Sequence, residues 1–180
     1  MKDLNKTEKI IFKINTVGIS VEIINRIIFE VDKGNAGSVK SIISNMHPAD
    51  TADLLETLSE ENRKKVIKAL GDKFPADTLA SMNVPILISV IDLFETDHLV
   101  RLLSTLDTDD ITYVLETCDI NFRKKILRSM SKDLQKLIKK ALNYSEDSAG
   151  RIMQTDYVSV PVNWTIGQVV DYLRMSKRIP

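Results

Sequence analysis

The chain has 180 residues, 43% of them hydrophobic and 28% charged, and its 25 basic and 25 acidic side chains cancel to a formal net charge of zero. That is enough apolar material for one domain, or one domain with part of a second, and the neutral balance argues against a partner held by bulk charge. A single cysteine, Cys118, excludes an internal disulfide framework, and the longest apolar stretch, near residues 84–91, falls far short of the roughly 20 residues of a membrane helix.

The polar start carries no evident secretion signal. Residues 10–19 are apolar without a clear period and are read as a short helix. Ser20 then caps a helix on which Val21, Ile24, Ile27, Ile28 and Val31 recur at helical spacing, with Gly34 as its C-terminal stop. After Gly37, Ser38 is placed to cap a short helix carrying Val39, Ile42, Ile43 and Met46, which ends before Pro48 because a residue preceding proline avoids the α region.

From there a register takes over. Leu55, Leu79, Leu103 and Leu127 are spaced by 24 residues, and Leu58, Met82, Leu106 and Met130 keep the same interval. So do Val66, Val90, Val114 and Ile138, and Leu70, Phe94, Cys118 and Leu142. Each unit has room for two helices of about ten residues, so the predicted fold is an all-α solenoid of stacked antiparallel helix hairpins. Ser59, Asn83, Thr96, Thr108 and Ser131 read as helix caps and Gly71 as a stop. Cys118 falls on a core position of the register, where a small buried side chain is expected, in keeping with a reducing cytosol. Near residue 145 the pattern changes: residues 157–162 alternate as a β-strand would, and 166–175 read as a helix. A strand and one helix cannot make a core of their own, so this segment is read as the start of an interrupted second domain.

Nothing in the chain has the form of a catalytic site. There are two histidines, His47 and His98, no glycine-rich phosphate loop and no defensible nucleophile with a base, so no enzyme is expected. His47 before Pro48 suits a cap better than a metal. Charge is segregated along the sequence, however: residues 92–119 are acidic, with Asp107, Asp109 and Asp110 at one turn, and residues 121–140 are basic. The acids have an ordinary explanation as first-turn residues facing the positive end of a helix dipole, and a second one as oxygen ligands of a hard cation. Mg²⁺ keeps several waters and often takes only one or two carboxylates from the protein. The basic run reads as a solvated face, an acidic partner's surface, or a nucleic-acid contact, and the last lacks interleaved aromatic residues.

His47-Pro48-Ala49-Asp50, Leu106-Asp107-Thr108-Asp109-Asp110, and the run from Tyr144 through Ser148-Ala149-Gly150-Arg151-Ile152-Met153 resemble the MgtE family of magnesium transporters over residues 46 to about 175. The resemblance implies residues 1–45 as leading helices, 46–143 as a superhelical, right-handed N domain, and 144–180 as a linker and the incomplete beginning of a first CBS module. It implies a cytosolic, Mg²⁺-responsive regulatory region, with weakly bound Mg²⁺ between acidic N-domain and CBS surfaces favouring a closed pore. The partners so implied are the CBS modules and a membrane pore in a homodimeric parent, without nucleic acid. By the same resemblance the metal-site residues are Asp77, Asp109 and Asp110. The competing expectation is an interaction scaffold resembling flagellar motor-switch proteins, with no ion role.

Overall fold

A computed structural model describes residues 19–145, 147–151, 153 and 157–176. The expected helix at residues 10–19 lies almost wholly outside them. Ten α-helices occur among the described residues: α1 Val21–Asp32, α2 Ala36–Ile43, α3 Pro48–Thr57, α4 Glu60–Leu70, α5 Val84–Ile91, α6 Thr96–Leu103, α7 Thr108–Thr117, α8 Ile120–Ser129, α9 Lys132–Leu142 and α10 Ile166–Met175. From α2 to α9 the helices begin at intervals of 12 residues, apart from one slot in which two 3₁₀ turns, Gly71–Lys73 and Ala76–Ser81, stand in. Phe74-Pro75 accounts for that slot, because proline has no N–H to give and disfavours the α conformation of the residue before it.

Local chemistry fixes most boundaries. The Ser20 hydroxyl accepts the Ile23 amide at 3.4 Å. At the other end of α1, Gly34 takes φ 70°, the Asn35 amide donates to the Glu30 carbonyl and the Gly34 amide to that of Val31, the pair of bonds that closes a left-handed helix end. Asn35 then caps α2 by accepting the Ser38 amide at 3.3 Å. Ser38 is therefore inside the helix and not its cap, because the turn at Gly34 brings Asn35 to that position first. Ser59 and Ser131 cap α4 and α9 as expected, and Gly71 stops α4 at φ 53°. Thr96 and Thr108 are first helical residues instead of caps. Thr108 is drawn inward, 5% exposed, and leaves the cap position to Asp107.

The chain divides into two compact units, Met1–His98 and Leu99–Pro180. In the first, α1, α2 and α4 pack together and α3 packs on the 3₁₀ turn Ala76–Ser81; in the second, α7 packs on α9. The pairs α2 and α4, α3 and the Ala76–Ser81 turn, and α7 and α9 each join alternate elements, which is the reach of the 24-residue register. Leu55, Leu79, Leu103, Val66, Val90, Val114 and Ile138 have no exposed surface. Cys118 departs from the expectation: it is half-buried at the C-cap of α7, with its thiol 3.5 Å from the Val114 carbonyl.

The expected strand at 157–162 is not formed, and no strand occurs among the described residues. Tyr157 and Val162 are exposed, at 76% and 105%. A strand is held by ladder bonds to a neighbour, and alternation of side chains alone supplies none. The helix that follows is present, with Thr165 and Gln168 forming a reciprocal capping box.

One buried charge ties a hairpin together. Arg63, on α4, is 7% exposed and donates from Nε to the Leu55 carbonyl at 2.7 Å, from Nη2 to the Leu58 carbonyl at 3.0 Å, and from Nη1 to the Ser89 hydroxyl at 3.2 Å. The guanidinium thus satisfies carbonyls that the end of α3 leaves open and sits at the negative end of its dipole. Arg63→Leu is expected to lower stability by about 2–4 kcal/mol, since charge-assisted bonds are lost and buried carbonyls are stranded; the fall in the urea midpoint at unchanged slope measures it.

Candidate cation site and the segment that follows it

Asp77 is exposed in the first turn of the Ala76–Ser81 segment, and its carbonyl accepts the Ser81 hydroxyl at 3.4 Å. It belongs to the unit Met1–His98, whereas Asp109 and Asp110 belong to the unit beginning at Leu99. Those two are the second and third residues of α7, both half-buried in its first turn. Asp109 differs from an ordinary first-turn acid in that its Oδ1 is buried and has no hydrogen-bond partner among the described residues. A buried, unanswered carboxylate oxygen is costly unless a donor or a cation meets it. Among the described residues no group of three or more His, Cys, Asp or Glu side chains converges. What the described residues offer a metal is therefore single carboxylates or an adjacent pair.

Neither histidine is placed among these carboxylates within its own unit. The His47 Nδ1 accepts the Ala49 amide at 3.3 Å and caps α3, as expected. His98 packs edge-on against Phe94 at 5.2 Å, Phe94 does the same with Phe74, and the His98 Nε2 lies 3.4 Å from an Asp72 carboxylate oxygen.

A second set of polar residues escaped the sequence reading because it recurs at 60 residues, not 24. Leu55-Glu56-Thr57 returns as Leu115-Glu116-Thr117, and Arg63-Lys64-Lys65 as Arg123-Lys124-Lys125. The geometry recurs with the letters. Arg123 donates to the Glu116 and Cys118 carbonyls at 2.9 and 3.2 Å, closing the end of α7 as Arg63 closes that of α3. Both glutamates hold a segment further along the chain. The Glu56 carboxylate accepts the backbone amide and the side-chain amide of Asn83 at 2.7 and 2.5 Å, fixing the start of α5. Glu116 forms an ion pair with Arg151, whose guanidinium also donates to the Ala141 and Tyr144 carbonyls at 2.8 and 3.3 Å.

Those bonds explain the Tyr144 to Arg151 motif physically. Arg151, with 10% of its side chain exposed, straps the turn after α9 to α9 and to α7. Gly150 lies under the Tyr144 ring, where a Cβ would come within 2.7 Å of a ring carbon. The clasp is expected to matter locally: Arg151→Met should speed amide exchange across residues 141–151 and lower the urea midpoint by the equivalent of about 2–3 kcal/mol.

The protein-family model of the MgtE intracellular N domain matches residues 46–147. The magnesium transporter MgtE of Bacillus subtilis (strain 168) is 26% identical over 153 residues, which is 85% of this chain and 34% of the relative. The chain thus spans about a third of the length of that curated relative. A crystal structure of the soluble part of a magnesium transporter superposes with a TM-score of 0.71 at 19% identity, covering 87% of this chain and 64% of that one. The cytosolic domain of the Mg²⁺ channel MgtE, crystallised in complex with ATP, superposes with a TM-score of 0.73 at 21% identity, covering 81% and 60%. At these identities the two structures establish the fold. Among the described residues no helix is long and apolar enough to cross a membrane.

Proposed function

Because the chain belongs to the family of the MgtE intracellular N domain, we propose that it is the cytosolic Mg²⁺-sensing regulatory region of a magnesium transporter. The family match over residues 46–147 carries this reading, and the buried, unpartnered oxygen of Asp109 supports it on the side of chemistry. Asp109 and Asp110 would supply ligands to a cation on the second unit, and Asp77, separately, to one on the first. Among the described residues none of the three belongs to a preformed cage, which suits a cation that keeps most of its water and takes one or two carboxylates.

The mechanism is linkage. Mg²⁺, when bound, supplies positive charge between carboxylate surfaces that otherwise repel, those of this chain and of the CBS modules of the parent. Asp77, Asp109 and Asp110 contribute repulsion in the free state and ligands in the compact one, so ion binding biases the compact, closed-pore arrangement by RT ln(1 + [L]/Kd). A sensor responds only near its Kd, so single-carboxylate sites of affinity on the order of 10⁻³ M fit the task better than a tight cage. Stacking of the hairpins into a right-handed superhelix, residues 46–143 as the N domain, and residues 144–180 as a linker and the start of a CBS module belong to the same reading. In support of the last, α10 has no buried residue and leaves Ile166, Val170, Tyr172 and Met175 open, as a helix does when its packing layer is another part of a module.

Two measurements test it. In an amide NMR titration of the 180-residue chain at constant ionic strength, Mg²⁺ but not Na⁺ is expected to give saturable shifts around residues 109–111, and Asp109→Asn to abolish them. In the full-length transporter, Asp77→Ala with Asp109→Ala should leave helix content intact and raise the Mg²⁺ midpoint of protease protection about tenfold, a coupling loss of about 1.4 kcal/mol. An unchanged midpoint would overturn the assignment and favour an interaction scaffold without an ion role.

A further inference from the structure

The 60-residue recurrence repeats a pair of lysines whose neighbouring acids differ between the two units. In the first unit Lys64 and Lys65 are answered at i−4 by Glu60 and Glu61, and Lys65 also by Asp32 at 3.2 Å. These contacts hold the Glu60 carboxyl below its ordinary pKa, chiefly through the Lys64 hydrogen bond, and the Lys65 ammonium above its own, chiefly through Glu61. In the second unit the lysines remain as Lys124 and Lys125, but the positions of the two acids are Ile120 and Asn121. Residues 120–142 carry eight basic side chains against the one acid Asp133, which lies 3.9 Å from Lys136 with both side chains exposed.

These charges are displayed on one side of each helix. On α8, Ile126 and Leu127 are buried while Lys124, Lys125 and Arg128 are exposed; on α9, Ile138 and Ala141 are buried while Lys132, Lys139 and Lys140 are exposed. Ile120 is 66% exposed and shares a helical stripe with Lys124 and Arg128 at i+4 and i+8. An apolar tooth beside a row of cations that no acid answers among the described residues matches a charged headgroup layer over hydrocarbon. Nucleic acid fits less well, because the aromatic residue of these helices, Phe122, is half-buried and offers no open ring for stacking.

We propose that the outer face of α8 and α9 docks on an anionic lipid surface. The proposal rests on the functional reading above only for the presence of a membrane nearby. It does not involve Mg²⁺, so the two can fail separately.

The test is sedimentation of the 180-residue chain, with EDTA present, on vesicles of phosphatidylglycerol mixed with phosphatidylcholine and on phosphatidylcholine alone. Binding is expected on the anionic vesicles only, released between about 0.1 M and about 1 M salt as screening shortens. The variant K124Q/K125Q/R128Q, whose changes are exposed and should leave the far-ultraviolet circular dichroism intact, is expected to lower the partition coefficient about 100-fold, roughly tenfold or less per cation. K64Q/K65Q, on the neutralised counterpart, should change it little. Equal binding to phosphatidylcholine, no binding to either vesicle, or anionic binding indifferent to the triple variant would overturn the proposal. So would capture by immobilised polyglutamate without vesicle binding, which would assign the face to an acidic protein.

Discussion

Helices of eight to twelve residues are marginal in water, because the cost of nucleating each is spread over few propagating bonds. Every α-helix among the described residues is of that length, so α1 to α9 each depend on burying an apolar stripe against another element. The contacts within each unit show where that partner lies: α2 meets α4, α3 meets the 3₁₀ segment Ala76–Ser81, and α7 meets α9. This dependence on the next-but-one element is the constraint from which the rest follows. It makes the 24-residue register obligatory, places Leu55, Leu79 and Leu103 out of water, and tolerates replacement of one helix by 3₁₀ turns so long as Thr78 and Leu79 still face inward.

Short helices joined by tight turns also leave many carbonyls and amides without helical partners. The chain meets that demand with side chains set at helix ends. Ser20, Asn35, Ser59 and Ser131 accept first-turn amides, while Arg63, Arg123 and Arg151 answer last-turn carbonyls. Glu56 and Glu116 then carry the same service further along the chain by gripping Asn83 and Arg151. Some buried polar atoms are left without a hydrogen bond among the described residues, Thr78 Oγ1, Arg123 Nε and Asp109 Oδ1 among them, and of these three the Asp109 oxygen is the one a cation could answer.

The sequence was informative wherever a signal was local or strictly periodic. The end of α1 at Gly34, the caps at Ser59 and Ser131, the role of His47 and the 24-residue core positions are written in residue type and spacing, since they depend on backbone sterics and on side chains that meet their own helix. Residue type misleads where two signals compete for one place. Ser38 and Thr108 are good caps by type, yet Asn35 and Asp107 hold the cap positions because the preceding turn brings them there. The alternation at residues 157–162 predicts a strand, but a strand exists only through a neighbour. The 60-residue pairing of Glu56 with Glu116 and Arg63 with Arg123 was present in the letters and obscured by the stronger 24-residue hydrophobic period.

By itself the sequence determined the all-helical class, the phase of the helices, the family motifs and the division of charge, because each follows from local conformational preference or from plain counting. Only the tertiary structure decided that Arg151 closes on Glu116, that the Asp109 Oδ1 is buried without a donor among the described residues, and that Lys124, Lys125 and Arg128 lie outward with no acid answering them among those residues while Lys64 and Lys65 are paired. Those outcomes depend on which surfaces lose water and which groups meet across elements distant in the chain, and burial of that kind is a property of packing that no single segment carries.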